Sequence, residues 1–93
     1  MSDVTRRLLI RGQVQGVFYR AWSAEQAEAL GLRGWVRNRR DGSVEMLVAG
    51  PEMAVADMIE RCRTGSPAAK VGDIQIAETD EAPPSRFEKR PTV

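Results

Sequence analysis

Apolar and polar residues alternate along short segments of the chain, which is the pattern of strands with one buried face. Leu8 and Ile10 alternate with arginines in the first such segment, which we expect to end at Gly12. The segments RGWVRN, residues 33–38, and SVEMLVA, residues 43–49, have the same character. They predict a second and a third strand.

Turn signals separate these segments and further strands follow them. The Asp41-Gly42 pair supplies the positive φ that a hairpin turn needs between the second and third strands. Ile74 and Ile76 indicate a fourth strand, and Phe87 with its neighbours indicates a short last strand.

Two other segments carry helical signals. The first, from about Arg20 to Leu30, is rich in helix formers, and Gly31 follows where a left-handed cap is expected. The second opens at Gly50-Pro51 and ends at Gly65. Its apolar residues recur at i, i+3, i+4 and i+7, which forms one stripe. They are Val55, Met58, Ile59 and Cys62.

The resulting order, β-α-β-β-α-β, predicts an α+β fold, the ferredoxin-like split βαβ sandwich, with two helices on one face of a mostly antiparallel sheet. In this topology the strand before Gly12 and the strand ending near Asn38 are joined by a right-handed crossover and run parallel. Another strand lies between them, so their carboxyl ends share one edge, about 10 Å apart. We expect residues 1–93 to form a single domain.

Composition narrows the classes of function. Hydrophobic residues are 42% and charged residues 29% of the chain, which is typical of a globular protein, and no apolar run approaches the roughly 20 residues of a membrane span. The net charge of +1 argues against a nucleic-acid partner. The N-terminus has no apolar signal core, and the single cysteine suits a reducing compartment. We therefore expect a cytoplasmic protein.

The chain contains no histidine. This removes the usual general base and the commonest metal ligand together. We also find no cluster of metal-ligand residues, so we predict neither a metal site nor a cofactor.

The segment between the first strand and the first helix has the composition of an anion cradle. We expect Gly12 and Gly16 to let the loop curl so that successive N–H groups point inward. The helix N-terminus at Arg20 adds the positive end of its dipole, and the guanidinium can hold two phosphate oxygens at once. A glycine-bearing joint is also a common tight connection, so these residues alone leave both interpretations open.

Two longer motifs resemble those of a known family. GQVQGVFYR, Gly12–Arg20, resembles the first signature of acylphosphatases, G-x-V-Q-G-V-x-F-R. GWVRNRRDGSVEMLVAG, Gly34–Gly50, resembles the second, a G-aromatic-V-x-N core followed by x-x-x-G-x-V and a later glycine. The element order agrees over essentially the whole chain. Tyr19, where the pattern usually has phenylalanine, and the C-terminal KRPTV depart from the family.

The resemblance implies hydrolysis of a carboxyl–phosphate mixed anhydride to carboxylate and phosphate. Arg20 would bind the substrate phosphate together with loop amides, and Asn38 would orient the attacking water. The loop comprises Gln15, Gly16, Val17, Phe18, Tyr19 and Arg20. Because no histidine is present to take the proton of that water, we expect it to pass to a phosphate oxygen of the substrate. A loose phosphoryl-transfer transition state needs positioning and charge stabilisation more than a strong base.

Two other functions are considered. An RNA-recognition domain of the same topology would stack bases on aromatic residues of the third strand, and SVEMLVAG contains none. A non-catalytic or regulatory domain that binds acyl or carbamoyl phosphate occurs inside larger hydrogenase-maturation proteins. The chain ends at Val93 without zinc-finger cysteines or a companion domain, so we expect a free-standing monomeric enzyme. Its partner would be a small-molecule acyl phosphate, with no nucleic acid and no membrane.

The other polar clusters and the large side chains are expected to have structural roles. We expect the arginines of the hairpin and the segment ETDEA to be solvated, and both tryptophans and the cysteine to pack in or near the core. These residues are Arg37, Arg39, Arg40, residues 78–82, Trp22, Trp35 and Cys62.

Overall fold

A computed structural model describes residues 3–93, which form five strands and two helices. The strands are β1 (Asp3–Gln13), β2 (Arg33–Asn38), β3 (Val44–Pro51), β4 (Lys70–Glu78) and β5 (Phe87–Arg90). The helices are α1 (Tyr19–Ala29) and α2 (Glu52–Thr64). The predicted order of elements and the short last strand at Phe87 are confirmed.

The strands form one sheet in the order β4-β1-β3-β2-β5. β1 pairs antiparallel with β3 and β4, β2 pairs antiparallel with β3, and β2 pairs parallel with β5. The predicted ferredoxin-like α+β arrangement with a mostly antiparallel sheet is therefore confirmed. Neither helix within residues 3–93 is long and apolar enough to cross a membrane.

Both helices pack on the same face of the sheet and enclose the main core with it. Alternate residues of the strands face this core, such as Ile10 in β1 and Met46 in β3. The predicted stripe of α2 is confirmed, since Val55, Met58 and Cys62 are buried there and Ile59, which is partly buried, packs against the same core. Burial of this stripe holds α2 against the sheet.

β1 is longer than predicted, and Gly12 lies inside it. The pairing of β1 with β4 shifts register between Arg11 and Gly12, and the φ angle of Gly12 is 131°. A Cβ atom on Gly12 would lie 2.2 Å from the carbonyl oxygen of Lys70. Gly12 is needed for a bulge where β4 approaches closely, so its predicted role in curling the phosphate loop is wrong.

The face of the sheet opposite the helices is covered by arginines around a buried tryptophan. Trp35 is 2% exposed, and the guanidinium carbons of Arg37, Arg90 and Arg7 lie 4.5, 5.1 and 5.7 Å from its ring centre. Glu81 accepts hydrogen bonds from the indole N–H of Trp35 and from Arg7. The expectation that Trp35 packs is confirmed. The expectation that the segment containing Glu81 is solvated is wrong for this residue.

Glu45 lies on the same face of the sheet and binds several arginines there. Glu45 is 6% exposed, and its carboxylate accepts hydrogen bonds from Arg7, Arg37 and Arg39. Burial alone would raise the pKa of Glu45, but the hydrogen bonds and positive charges of the arginines outweigh it and hold that pKa below its ordinary value of 4.5. Arg37 and Arg39 are thus paired rather than simply solvated.

We predict that Glu45→Gln lowers the free energy of unfolding at pH 7 by about 2 kcal/mol, because the arginines lose their shared charged acceptor. The folded-state pKa is lowered, so this contribution is present above about pH 4.5 and is lost as the pH falls through the folded-state value. Urea denaturation at pH 7 and pH 3 measures both effects.

Glu60→Gln is the matched control, since Glu60 forms an exposed pair with Arg63 one helical turn away. We expect that change to cost less than about 0.5 kcal/mol. Equal effects of the two substitutions at pH 7 would show that the Glu45 cluster does not stabilise the fold.

Candidate active site

The ends of β1 and β2 lie at the same rim of the sheet. Ile10 of β1 and Asn38 of β2 both pair with Val44 of β3, from opposite sides. With one strand between them, the two strands are about 10 Å apart. Because paired residues share a face of the sheet, Asn38 faces the side on which α1 lies. The predicted parallel arrangement of β1 and β2 is confirmed.

A cleft of about 380 Å³ opens at this rim between the β1–α1 loop, the end of β2 and β5. It brings together most of the predicted site residues. They are Gln15, Gly16, Phe18, Tyr19, Arg20 and Asn38, and the cleft is completed by Val14, Ala21 and Lys89. Val17 is absent from this lining and packs against the core instead.

The backbone of the β1–α1 loop adopts left-handed conformations at two positions. The φ angle is 74° at Gly16 and 59° at Phe18, where ψ is 24°. Left-handed residues within a loop turn successive N–H groups toward one side, which forms an anion-binding concavity. Within residues 3–93, the N–H groups of residues 15–18 donate to no protein acceptor. These amides are therefore available to a ligand.

Side-chain hydrogen bonds fix this loop to its surroundings. The amide Nε2 of Gln15 donates to the carbonyl oxygens of Arg39 at 2.7 Å and Ser43 at 2.8 Å, in the hairpin after β2. The hydroxyl of Ser66 donates to the carbonyl oxygen of Val17 at 3.2 Å. The side chain of Gln15 thus sets the position of the loop relative to the end of β2.

Arg20 is held by the backbone of the last strand. Its Nη1 donates to the carbonyl oxygen of Arg90 at 2.8 Å. A guanidinium has several more N–H donors in a fixed planar fork, and these remain for an anion in the cleft. The C-terminal strand therefore orients the arginine that the sequence motif singles out.

Asn38 carries a buried oxygen without a partner. Its Oδ1 is the only buried side-chain nitrogen or oxygen in residues 3–93 that forms no hydrogen bond. Such atoms are rare in folded proteins, because an unsatisfied buried acceptor costs about 1–3 kcal/mol. Because Asn38 lines the cleft, a small shift that admits a ligand or a water molecule would give this oxygen a hydrogen-bond donor.

Lys89 is a second cation of the cleft, and the sequence analysis missed it. It lies in β5, where it pairs with Val36 of β2, and it lines the cleft together with Arg20. No acidic residue is among those of residues 3–93 that line the cleft. The lining thus has the charge that a phosphate dianion requires. Only the parallel pairing of β5 with β2 brings Lys89 here, and nothing near Lys89 in the sequence indicates it.

Tyr19 stands where the motif usually has phenylalanine, and its additional hydroxyl has a hydrogen-bond partner. The side chain is 1% exposed, and its hydroxyl donates to the carbonyl oxygen of Cys62 at 2.8 Å. Burial strongly raises the pKa of Tyr19, and burial also raises the pKa of the Cys62 thiol to about 11. The tyrosine hydroxyl is therefore a neutral donor within the core.

Comparison with known proteins identifies the family. The acylphosphatase family model matches residues 6–89. An acylphosphatase of Rhizorhabdus wittichii is 52% identical over 90 residues, covering 97% of this chain and 91% of that protein. The crystal structure of an acylphosphatase from Bacillus subtilis has a TM-score of 0.89 at 39% identity, covering 94% of this chain and 98% of that one. The chain belongs to the acylphosphatase family and is an enzyme of that family.

The same fold also occurs within a longer protein. A crystal structure of full-length HypF in the phosphate- and nucleotide-bound form matches 98% of this chain but only 12% of the HypF chain, with a TM-score of 0.89 and 25% identity. By contrast, the match covers 91% of the Rhizorhabdus wittichii protein and 98% of the Bacillus subtilis one. The resemblance predicted from the two motifs is confirmed.

We predict that Tyr19→Phe lowers the free energy of unfolding by about 1 kcal/mol, because the carbonyl of Cys62 loses its donor. The raised folded-state pKa values of Tyr19 and Cys62 mean that the unfolded chain releases these protons first as the pH rises. Stability should therefore fall from about pH 9, the ordinary value for a cysteine thiol.

Urea denaturation between pH 7 and pH 11 measures this decline, which should be shallower in the variant. A variant as stable as the parent, with the same alkaline slope, would show that the buried hydroxyl contributes nothing.

Proposed function

We propose that this chain hydrolyses acyl phosphates, R–CO–OPO₃²⁻, to a carboxylate and inorganic phosphate. The observation that carries the proposal is the shared cleft, which is lined by Arg20, by Asn38 and by a loop whose amides donate to no acceptor within residues 3–93. The Oδ1 of Asn38 also has no partner within those residues. Membership of the acylphosphatase family supports the same reaction. Acetyl phosphate, carbamoyl phosphate and 1,3-bisphosphoglycerate are substrates of this class.

The phosphate group would be bound by the loop and by Arg20. The amides of Gln15–Arg20 donate to its oxygens, the N-terminus of α1 adds its positive dipole end, and the guanidinium holds two oxygens at once. Lys89 adds a second positive charge at the cleft. Preorganised donors of this kind stabilise the transition state because they need no rearrangement as charge develops.

Asn38 would hold the attacking water by accepting a hydrogen bond at Oδ1. An amide oxygen can align a water molecule but cannot take its proton, and the chain has no histidine. The proton passes to a phosphate oxygen as the water oxygen bonds to phosphorus. The bond between phosphorus and the acyl oxygen breaks, and the carboxylate leaves with its electron pair. A carboxylate is a good leaving group, so positioning without a strong base suffices.

We predict that Arg20→Ala lowers kcat/KM for acetyl phosphate by a hundredfold or more, because removing one preorganised donor costs roughly 3 kcal/mol in the transition state. Arg20→Lys should recover little of this, since an ammonium does not reproduce the planar fork. Release of inorganic phosphate, followed at several substrate concentrations, measures both variants.

Arg63→Ala is the matched control, an exposed arginine of α2 that pairs with its helical neighbour Glu60. It should retain parental activity. Full activity in Arg20→Ala would refute the assignment of the phosphate site. Phosphate binding by the parent without hydrolysis of any acyl phosphate would instead favour the non-catalytic binding domain.

We predict that Asn38→Ala lowers kcat about a hundredfold while changing KM little, because misplacing the nucleophile affects the chemical step more than substrate binding. The same variant should be at least as stable as the parent, since it removes a buried oxygen that has no partner within residues 3–93. Steady-state kinetics and thermal denaturation give the two results.

Parental kcat in Asn38→Ala would refute the role in orienting water. A large loss of stability would instead identify Asn38 as a structural residue, so the paired measurements separate the two roles.

A further inference from the structure

A second concavity adjoins the cleft and differs from it in character. It is a groove of about 390 Å³ between α1 and the loop that connects α2 to β4. Most of its lining is apolar. The residues that supply this apolar lining are Val17, Phe18, Ala21, Trp22, Pro67 and Ala68, and we call this surface the apolar groove.

The apolar groove is continuous with the cleft, because Phe18 and Ala21 line both. Phe18 is 85% exposed, and its left-handed backbone holds the aromatic ring outside the core. Contiguous exposed apolar surface marks a binding site more often than isolated exposed apolar residues do. A molecule bound by its phosphate in the cleft can therefore extend over Phe18 into the groove.

The two concavities differ in charge. Arg20 and Lys89 line the cleft, whereas Glu25 is the only charged residue among those of residues 3–93 that line the apolar groove. A phosphate is attracted to the cleft and repelled by Glu25. An uncharged apolar group should instead prefer the groove, because contact with the apolar lining removes its surface from water.

We infer that the apolar groove is the subsite for the acyl group of the substrate and favours neutral aryl or alkyl groups. This inference rests on the proposed function, since the cleft must hold the phosphate. In an acyl phosphate one bridging oxygen separates phosphorus from the acyl carbon, so an acyl group must lie beside the phosphate site. Benzoyl phosphate should be preferred to acetyl phosphate, and succinyl phosphate, whose acyl group is anionic, should be disfavoured.

The inference is tested with two substitutions of opposite character at one exposed position. Ala68→Leu extends the apolar lining, and Ala68→Asn replaces part of it with a polar group. The ratio of kcat/KM for benzoyl phosphate to that for acetyl phosphate should rise in the first and fall in the second, each by about fivefold. This is less than the tenfold or more that a methylene contributes in an enclosed pocket, because the groove is open on one side. Ala56→Asn, at an exposed position of α2, is the matched control and should leave the ratio unchanged.

The outcomes separate this inference from the proposed function. Hydrolysis of both substrates with the same ratio in every variant would overturn the subsite alone. Hydrolysis of neither substrate by the parent would overturn the proposed function, and the subsite with it. A dimer that Ala68→Asn dissociates, with no change in the ratio, would assign the groove to a second copy of the chain.

Discussion

The insertion of β3 between β1 and β2 is the constraint on which the candidate site depends. Val44 pairs with Ile10 on one side and Asn38 on the other, which brings the ends of two parallel strands to one rim. The register of β3 is held because Met46 and Val48 are fully buried in the main core. A slip of one residue along β2 would turn Asn38 to the opposite face and remove it from the cleft.

The two faces of the sheet separate the positive charges of the chain into different roles. Glu45 binds Arg37 and Arg39 on the face opposite the helices, so these arginines do not contribute to the cleft. Arg90 connects the two faces, since its side chain lies over Trp35 while its carbonyl oxygen accepts a hydrogen bond from Arg20. A chain with a net charge of only +1 can in this way carry a locally cationic cleft.

Local patterns predicted most of the fold and the composition of the site, and long-range pairing accounts for what they missed. The bounds of β2 were predicted correctly, because its aromatic and β-branched residues stand between a helix cap and a turn. The place of Lys89 follows from the pairing of β5 with β2, and that of Glu81 from a contact with Arg7 across the sheet. The bulge at Gly12 likewise requires β4 as a neighbour. None of these contacts leaves a signal in the adjacent sequence.

The cleft also contains two features that are unfavourable to stability. Phe18 has a left-handed backbone without being a glycine, and Asn38 buries an oxygen that has no partner within residues 3–93. Hydrogen bonds from Gln15 and Ser66 hold the loop in place despite this cost. A site without histidine has no strong base to compensate for poor alignment, so it must act through donors and acceptors that are already in position. The anchored loop and the unpartnered amide oxygen are therefore the features that the proposed hydrolysis requires.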